Sequence, residues 1–151
     1  MYRYVKRVLD FFIALLLLIV LLIPMTVVAI CIKLEDGGPI FYKQTRIGKN
    51  LKPFKIYKFR SMKTERKEFD GKLSHEQMVT NIGKFIRKTS IDELPQIINV
   101  LKGDMAFIGP RPWIEDYYEW FSEEQKRRNE VLPGLSGLAQ VKGRNGISIT
   151  E

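Results

Sequence analysis

Hydrophobic positions are distributed very unevenly along this chain. One uncharged run of 22 residues extends from Phe11 to Ile32. At 1.5 Å per residue, a helix of this length is long enough to cross the hydrocarbon core of a bilayer. Pro24 lies inside the run, where a proline removes a helical hydrogen bond and clashes with the preceding turn. The pattern therefore predicts an N-terminal membrane helix that is broken at Pro24.

Basic residues flank the apolar run on both sides. Arg3, Lys6 and Arg7 precede it, and Lys33 begins the basic residues that follow. Because basic flanks favour the cytoplasmic side of a membrane, both ends of the run are expected there. A re-entrant helix that breaks and returns satisfies both flanks and is the preferred interpretation. A kinked helix that spans the bilayer once is the alternative.

The rest of the chain alternates between short strand-like and helix-like patterns. This predicts an α+β fold with a re-entrant membrane helix in residues 1–36 and a small mixed cytoplasmic catalytic domain in residues 37–151. Predicted strands cover residues 40–44, 54–60 and 105–108, and predicted helices cover 90–101 (closed by Gly103) and 113–128. A short helix or turn is predicted at 82–88, and a loop or short strand at 134–143.

The predicted helix 113–128 is amphipathic. Trp113, Tyr117, Trp120 and Phe121 follow one another at helical spacing, which predicts a single aromatic face. Such a face either packs in a protein core or lies at the level of the lipid headgroups, as an interfacial helix does. Both interpretations stay open from the pattern alone.

Composition restricts the chemistry that the chain can perform. The single cysteine, Cys31, excludes a disulfide framework, and with the single histidine, His75, it excludes a zinc site built from His and Cys. The net charge of +8 suits an anionic membrane surface, a phosphorylated substrate or nucleic acid, and simple solubility explains it equally well. Catalysis would therefore depend on carboxylates, basic residues and a hard metal ion.

Adjacent carboxylates at Asp92 and Glu93 form the sharpest local motif. One interpretation is structural: Ser90 caps the following helix, and Glu93 completes a capping box. The other is chemical, because an ionised Asp can attack phosphorus while a neighbouring Glu holds Mg²⁺. Arg87, just upstream, would attract a phosphate to the same place.

Two basic motifs accompany the carboxylates. Arg111 lies between Pro110 and Pro112, and the fixed backbone suits either bidentate phosphate binding or merely a rigid turn. The strand at residues 54–60 sets apolar side chains against Lys55, Lys58 and Arg60, so it could put cations on one face of a small sheet, although half-exposed strands commonly alternate in this way.

Several of these segments together resemble the bacterial sugar transferase family, the monotopic phosphoglycosyl transferases. The resemblance extends over essentially the whole chain. The matching segments, beyond the apolar run interrupted at Pro24, are residues 41–48 (FYKQTRIG), 58–62 (KFRSM), 87–96 (RKTSIDELPQ), 102–105 (KGDM), 109–112 (GPRP) and 133–137 (PGLSG).

This resemblance implies transfer of a phosphosugar from a UDP-sugar to a polyprenyl phosphate such as undecaprenyl phosphate, with release of UMP. It also implies that Asp92 is the nucleophile that forms a covalent phosphosugar intermediate and that Glu93 helps to hold a Mg²⁺ cofactor. Phosphate binding is implied for a set of basic residues: Lys58, Arg60, Arg87, Arg111 and, near the nucleotide, Arg144.

The resemblance further implies a protein of the bacterial inner membrane with both termini in the cytoplasm. Its expected partners are the UDP-sugar, the polyprenyl phosphate and membrane lipids, with no nucleic acid, and a homodimer stays open. Two features depart from the family: Ile23 replaces the serine that many relatives have before the proline, and relatives usually continue beyond Glu151. The alternative is a membrane-tethered basic domain that binds anionic lipid or nucleic acid without catalysis.

Overall fold

The computed structural model of the protein describes residues 2–63, 77–138 and 141. Helices and strands are mixed along the chain, which confirms an α+β fold. Its helices are α1 (Tyr2–Asp36), α2 (Asn81–Lys88), α3 (Ile97–Lys102) and α4 (Glu123–Lys126), and its strands are β1 (Phe41–Ile47), β2 (Pro53–Phe59), β3 (Ala106–Ile108) and β4 (Gly134–Ser136). Tighter 3-10 turns cover Lys49–Leu51, Ile91–Gln96, Glu115–Trp120 and Arg127–Glu130.

Helix α1 is 35 residues long and contains Pro24 without interruption. The predicted break in the helix at this proline is therefore not seen. Leu21 and Met25, on either side of Pro24, both pack against the rest of the molecule, and these contacts hold the two halves in one helix. Within the described ranges, α1 is the one helix long and apolar enough to cross a membrane.

Helix α1 has two apolar faces. The inner face packs on the domain along most of the apolar run, with its contacts at helical spacing: Ala14, Leu17, Leu18, Leu21, Met25, Val28, Ala29 and Ile32. The outer face is exposed, with side chains that include Leu16, Ile19, Val20, Ile23 and Val27. Because a water-soluble surface rarely carries so long a row of large apolar side chains, the outer face is typical of a membrane-contacting helix.

The two ends of α1 also hold the helices of the domain. Near its beginning, Arg7 donates hydrogen bonds to the last carbonyls of α3, at Val100 and, at 2.8 Å, at Leu101. Near its end, the Glu35 carboxylate accepts hydrogen bonds from the first backbone N–H groups of α2, at Asn81 (2.6 Å) and Ile82 (3.1 Å). The two N–H groups have no acceptor inside α2, and Arg7 adds to the bond that the Val100 carbonyl accepts from Gly103 N, so α1 supports one end of each helix.

An antiparallel hairpin of β1 and β2 follows α1 in the chain and precedes the other helices. Its register runs from Phe41 opposite Phe59 to Ile47 opposite Pro53, which confirms the predicted strands and extends the first to Ile47. The fully buried Asn99 of α3 bonds the backbone of β2: it accepts from Tyr57 N at 3.1 Å and donates to Lys55 O at 2.8 Å. The amide thereby fixes α3 against the hairpin.

Strands β3 and β4 form a second, parallel pair, with Ala106 opposite Gly134 and Ile108 opposite Ser136. A Cβ atom on Gly109 would lie 2.5 Å from the Leu132 carbonyl oxygen, and one on Gly134 would lie 2.1 Å from Gly109 N. Only glycine permits this approach. It brings the segment that contains Arg111 directly beside β4.

The predicted single helix over residues 113–128 is wrong. The segment instead forms a 3-10 turn, the four-residue α4 and another 3-10 turn. Phe121 is extended, and Ser122 then starts α4 with a capping box that includes Gln125, so the first turn cannot continue into α4. The predicted aromatic face is divided as a result, because Phe121 is buried whereas Trp120 is 84% exposed.

Candidate functional site

The turn that carries the two carboxylates begins with an unusual backbone conformation. Ser90 is left-handed, with φ of 59°, and is followed by the tight turn Ile91–Gln96 and then α3. For a residue with a side chain this conformation costs about 1 kcal/mol. The predicted capping box is wrong, since the Ser90 side chain makes no capping hydrogen bond and the Glu93 carboxylate bonds elsewhere. The predicted end at Gly103 is confirmed, with φ of 90°.

Glu93 is the meeting point of two cations from distant parts of the chain. Lys58 Nζ, from β2, lies 2.8 Å from Glu93 Oε1, and Arg111 Nη2, from the segment after β3, lies 3.0 Å from the same oxygen. Burial alone would raise the pKa of the Glu93 carboxyl, but the hydrogen bond and charge of Lys58, with those of Arg111, outweigh it and lower the pKa. None of the described residues donates a hydrogen bond to the second oxygen, Oε2.

Asp92 has the opposite electrostatic balance. Burial raises the pKa of its carboxyl, and the negative charge of Glu93 adds to this, whereas Lys58 and Arg87 act to lower it. Two adjacent carboxyls therefore differ in character: Glu93 is held as a stable anion, and Asp92 is a more basic one. A poorly solvated, more basic carboxylate is the better nucleophile of the two. We call Asp92, Glu93, Lys58, Arg87 and Arg111 the carboxylate site.

Arg46 belongs beside this site, although no pattern in the sequence assigned it a role there. Burial lowers the pKa of its guanidinium, the charge of Arg111 lowers it further, and Glu93 partly counteracts this. Its Nη2 donates to Gln44 Oε1 at 2.6 Å, while its buried Nε has no hydrogen-bond partner among the described residues. The hairpin register could have revealed it, because residues 42, 44 and 46 share one face with Lys58.

Arg60 is not brought to the carboxylate site. Its guanidinium bonds both carboxylate oxygens of Asp36 and donates to the carbonyl oxygens of Pro39 and, at 3.2 Å, Met62. The backbone of Arg60 still donates to Ile40 O at 2.9 Å, next to the last pair of the hairpin, and its side chain turns to Asp36 at the end of α1. Arg60 and Asp36 instead form what we call the junction, an ion pair that fixes the end of α1 to the hairpin. Arg144 and His75 lie outside the described residues.

Glu93 is the residue of this site that the sequence predicts to hold a divalent metal ion. The described residues contain no group of three or more His, Cys, Asp or Glu side chains arranged to hold a metal ion. Mg²⁺, however, is usually bound by one or two carboxylates together with substrate phosphates and water. Glu93, whose Oε2 accepts from no described donor while Lys58 and Arg111 contact Oε1, fits that mode of binding.

Comparison with known proteins identifies the family of the chain. The family model described as "Bacterial sugar transferase" matches residues 1–151. The chain is similar to the uncharacterized sugar transferase EpsL of Bacillus subtilis (strain 168), with 46% identity over 143 residues that cover 95% of this chain and 71% of the relative.

Two further relatives carry more specific names. The chain is 40% identical over 149 residues to the UDP-glucose:undecaprenyl-phosphate glucose-1-phosphate transferase of Escherichia coli (strain K12), covering 95% of this chain and 32% of that protein. It is 38% identical over 162 residues to the undecaprenyl-phosphate galactose phosphotransferase of Salmonella typhimurium (strain LT2), covering 96% and 34%. The chain thus spans about a third of the length of these two relatives. The matches confirm the prediction of a transferase enzyme, and the chain belongs to the bacterial sugar transferase family.

Proposed function

We propose that the protein transfers a sugar phosphate from a UDP-sugar to undecaprenyl phosphate or a similar polyprenyl phosphate. The observation that carries the proposal is the pair of adjacent carboxyls with opposite pKa shifts, one bonded to Lys58 and Arg111 and the other half-buried beside them. The names of the Escherichia coli and Salmonella relatives support the lipid carrier, and the name of the Escherichia coli relative also supports the UDP-sugar.

The proposed reaction has two displacement steps at one phosphorus atom. In the first, an Asp92 carboxylate oxygen attacks the β-phosphorus of the UDP-sugar, the bond to the bridging oxygen breaks, and UMP leaves. In the second, a phosphate oxygen of the polyprenyl phosphate attacks the aspartyl phosphosugar. The bond between phosphorus and Asp92 then breaks, which releases polyprenyl-diphosphate-sugar and restores the carboxylate.

The basic residues of the carboxylate site provide the charge that this chemistry requires. Phosphoryl transfer depends mainly on positioning and on stabilisation of negative charge. Lys58 and Arg111 share a single oxygen of Glu93, so each keeps N–H donors for phosphate. Arg87 and Arg46 lie close enough for their charges to act on the same carboxylates. Glu93 would help to hold Mg²⁺, which would neutralise charge on the diphosphate.

The packing of α1 supports a one-sided membrane attachment. Its inner face contacts the domain from Ala14 to Ile32, the same residues that a spanning helix would place in hydrocarbon. A crossing would therefore draw the charged domain into the bilayer, at a high cost in desolvation. We infer that the outer face enters one leaflet of the bacterial inner membrane, with both termini cytoplasmic. Tags at Met1 and Glu151 should both be protected from external protease in intact cells, and one accessible tag would contradict this.

The decisive test of the proposed reaction is the Asp92→Asn variant. Asn is nearly isosteric but cannot form the acyl phosphate with the phosphosugar, so UMP release from a UDP-sugar should fall at least about 1,000-fold. Wild-type enzyme incubated with UDP-sugar alone should gain the mass of one sugar phosphate, and the variant should not. Asp104→Asn, the same change at a residue after α3, is the matched control and should keep wild-type turnover. Near-native turnover of Asp92→Asn would refute the covalent mechanism.

A further inference from the structure

Arg128 occupies an aromatic corner next to the carboxylate site. Its guanidinium carbon lies 5.4 Å from the ring centre of Trp113 and 5.4 Å from that of Phe121. The two rings meet edge to face, at 5.3 Å and 89°. A guanidinium over an aromatic face gains cation–π energy, and more where water is excluded. Arg128 is thus held in one place by two rings that also fix each other.

From this corner Arg128 reaches the backbone of Arg111. Its Nη2 donates to the carbonyl oxygen of Arg111 at 3.1 Å. Because the next residue is Pro112, the peptide that joins them has no N–H, and this carbonyl is the only polar group by which it can be held. On the other side of Arg111, the Pro110 carbonyl accepts from Gly134 N at 2.9 Å. Both peptides that flank Arg111 are therefore fixed, one of them by Arg128.

The aromatic corner is itself attached to the hairpin. The carbonyl oxygen of Trp113 accepts from Ile47 N, at the end of β1, at 3.0 Å. The hairpin also carries Lys58, the other cation on Glu93. The positions of the two cations that meet at Glu93 Oε1 therefore both depend on the same hairpin. Lys58 belongs to it, and Arg111 is connected to it through Arg128 and Trp113.

We propose that Arg128 is a positioning residue that sets the backbone of Arg111, and with it the guanidinium that faces Glu93 and the substrate diphosphate. The inference rests on the proposed function, in which Arg111 binds phosphate. A displacement of about 1 Å in such a group can reduce the rate about 100-fold. Loss of the Arg128 contact should act on catalysis only as long as the Arg111 side chain is present.

The test is a double-mutant cycle on the full chain in detergent or lipid. We expect Arg128→Gln to lower kcat/KM for UMP release about 10- to 100-fold in the wild-type background and to have no further effect in Arg111→Ala. Arg128→Lys keeps the charge but loses the planar guanidinium, so it should resemble Arg128→Gln. Arg127→Gln is the matched control, because Arg127 is 73% exposed and pairs with Glu130, and should match the wild type.

A second cycle on the same proteins measures the Kd of UDP by titration calorimetry. Losses from Arg128→Gln and Arg128→Lys that persist in the Arg111→Ala background, in both cycles, would overturn the positioning role, as would a wild-type kcat/KM in both Arg128 variants. A different result would be that the Arg128 variants weaken UDP binding only while Arg111 is present, but the wild-type protein releases no UMP. This result would overturn the proposed function and leave the positioning role supported.

Discussion

The junction and the carboxylate site use the same residue types for different ends. At the junction, Arg60 is 8% exposed, and Asp36 binds its guanidinium with both carboxylate oxygens while backbone carbonyls take further N–H groups. At the carboxylate site, Arg111 is 49% exposed and shares one oxygen of Glu93 with Lys58. The arginine whose donors are used within the protein supports the fold, and the arginine that retains donors can bind a ligand.

The largest effect is expected on the free energy of unfolding when the ion pair of the junction is removed. Arg60→Met leaves the Asp36 carboxylate without its buried partner, so the free energy of unfolding should fall by about 3 kcal/mol. Urea unfolding of the purified protein would measure it, and the KM for UDP-sugar of the folded fraction should stay within about twofold of the wild type. A tenfold higher KM with an unchanged free energy of unfolding would contradict this and would indicate that Arg60 binds phosphate.

The same change at Arg111 should have the reverse profile. Arg111→Met removes a half-exposed ion pair, which contributes only about 0–1 kcal/mol to stability. It should lower kcat/KM for UMP release about 100-fold, because a donor to the transferred phosphate is lost. Steady-state kinetics and urea unfolding on one preparation give both values. If Arg111→Met unfolded as readily as Arg60→Met, the contrast between the two regions would be wrong.

The two carboxyls of the site should respond differently to pH. Burial, with the charge of Glu93, raises the pKa of Asp92, so kcat/KM should decline with falling pH at a midpoint above that of a free aspartate. Glu93, whose pKa is lowered, stays ionised through that range. In Glu93→Gln the residual activity should decline at a lower pH, because the neighbouring negative charge is gone. Full pH profiles of both proteins would show the shift, and an unchanged midpoint would remove Asp92 from the acid limb.

The smallest expected effect is on stability at Asp92. Because the native state holds the Asp92 proton more tightly than the unfolded chain does, ionised Asp92 opposes folding at neutral pH. Asp92→Asn should therefore raise Tm by about 2 °C while it abolishes turnover. Glu93→Gln should lower Tm, because the lowered pKa of Glu93 means that its ionised carboxylate stabilises the fold at pH values above the pKa that it has in the unfolded chain. The substitution also leaves Lys58 and Arg111 without this ion-pair partner. Thermal unfolding at pH 7 distinguishes the two, and a lower Tm for Asp92→Asn would contradict the sign.

The features that could be predicted from the sequence are those that depend on residues close to one another in the chain. The strands of the hairpin, helix α2 and the glycine that ends α3 follow from local pattern and propensity, and all were found. Asp92 and Glu93 are adjacent in the chain, so their proximity could be predicted without knowledge of the fold. Arg87 could be placed near them because it lies in the same segment. The family resemblance, carried by motifs spread along the chain, was also confirmed.

What could not be predicted depends on contacts between distant segments. Ser90 and Glu93 have the spacing of a capping box, but the attraction of Lys58 and Arg111 gives the Glu93 carboxylate a better set of partners than a helix end offers. Arg60 leaves its expected face because Asp36, 24 residues earlier, is within reach. Arg128 has no motif at all, since its place is set by two rings and a carbonyl that the fold brings to it.

The contact between Arg7 and α3 has a consequence for biosynthesis. Its two ends are separated by 93 and 94 residues. At about 5–20 residues per second, α3 is synthesised roughly 5–20 s after Arg7. Helix α1 is thus complete, and available to the membrane surface, well before the helix that its arginine will hold. In the order of synthesis, helix α1 therefore comes first, and the segment that carries Asp92 and Glu93 and leads into α3 packs on it later.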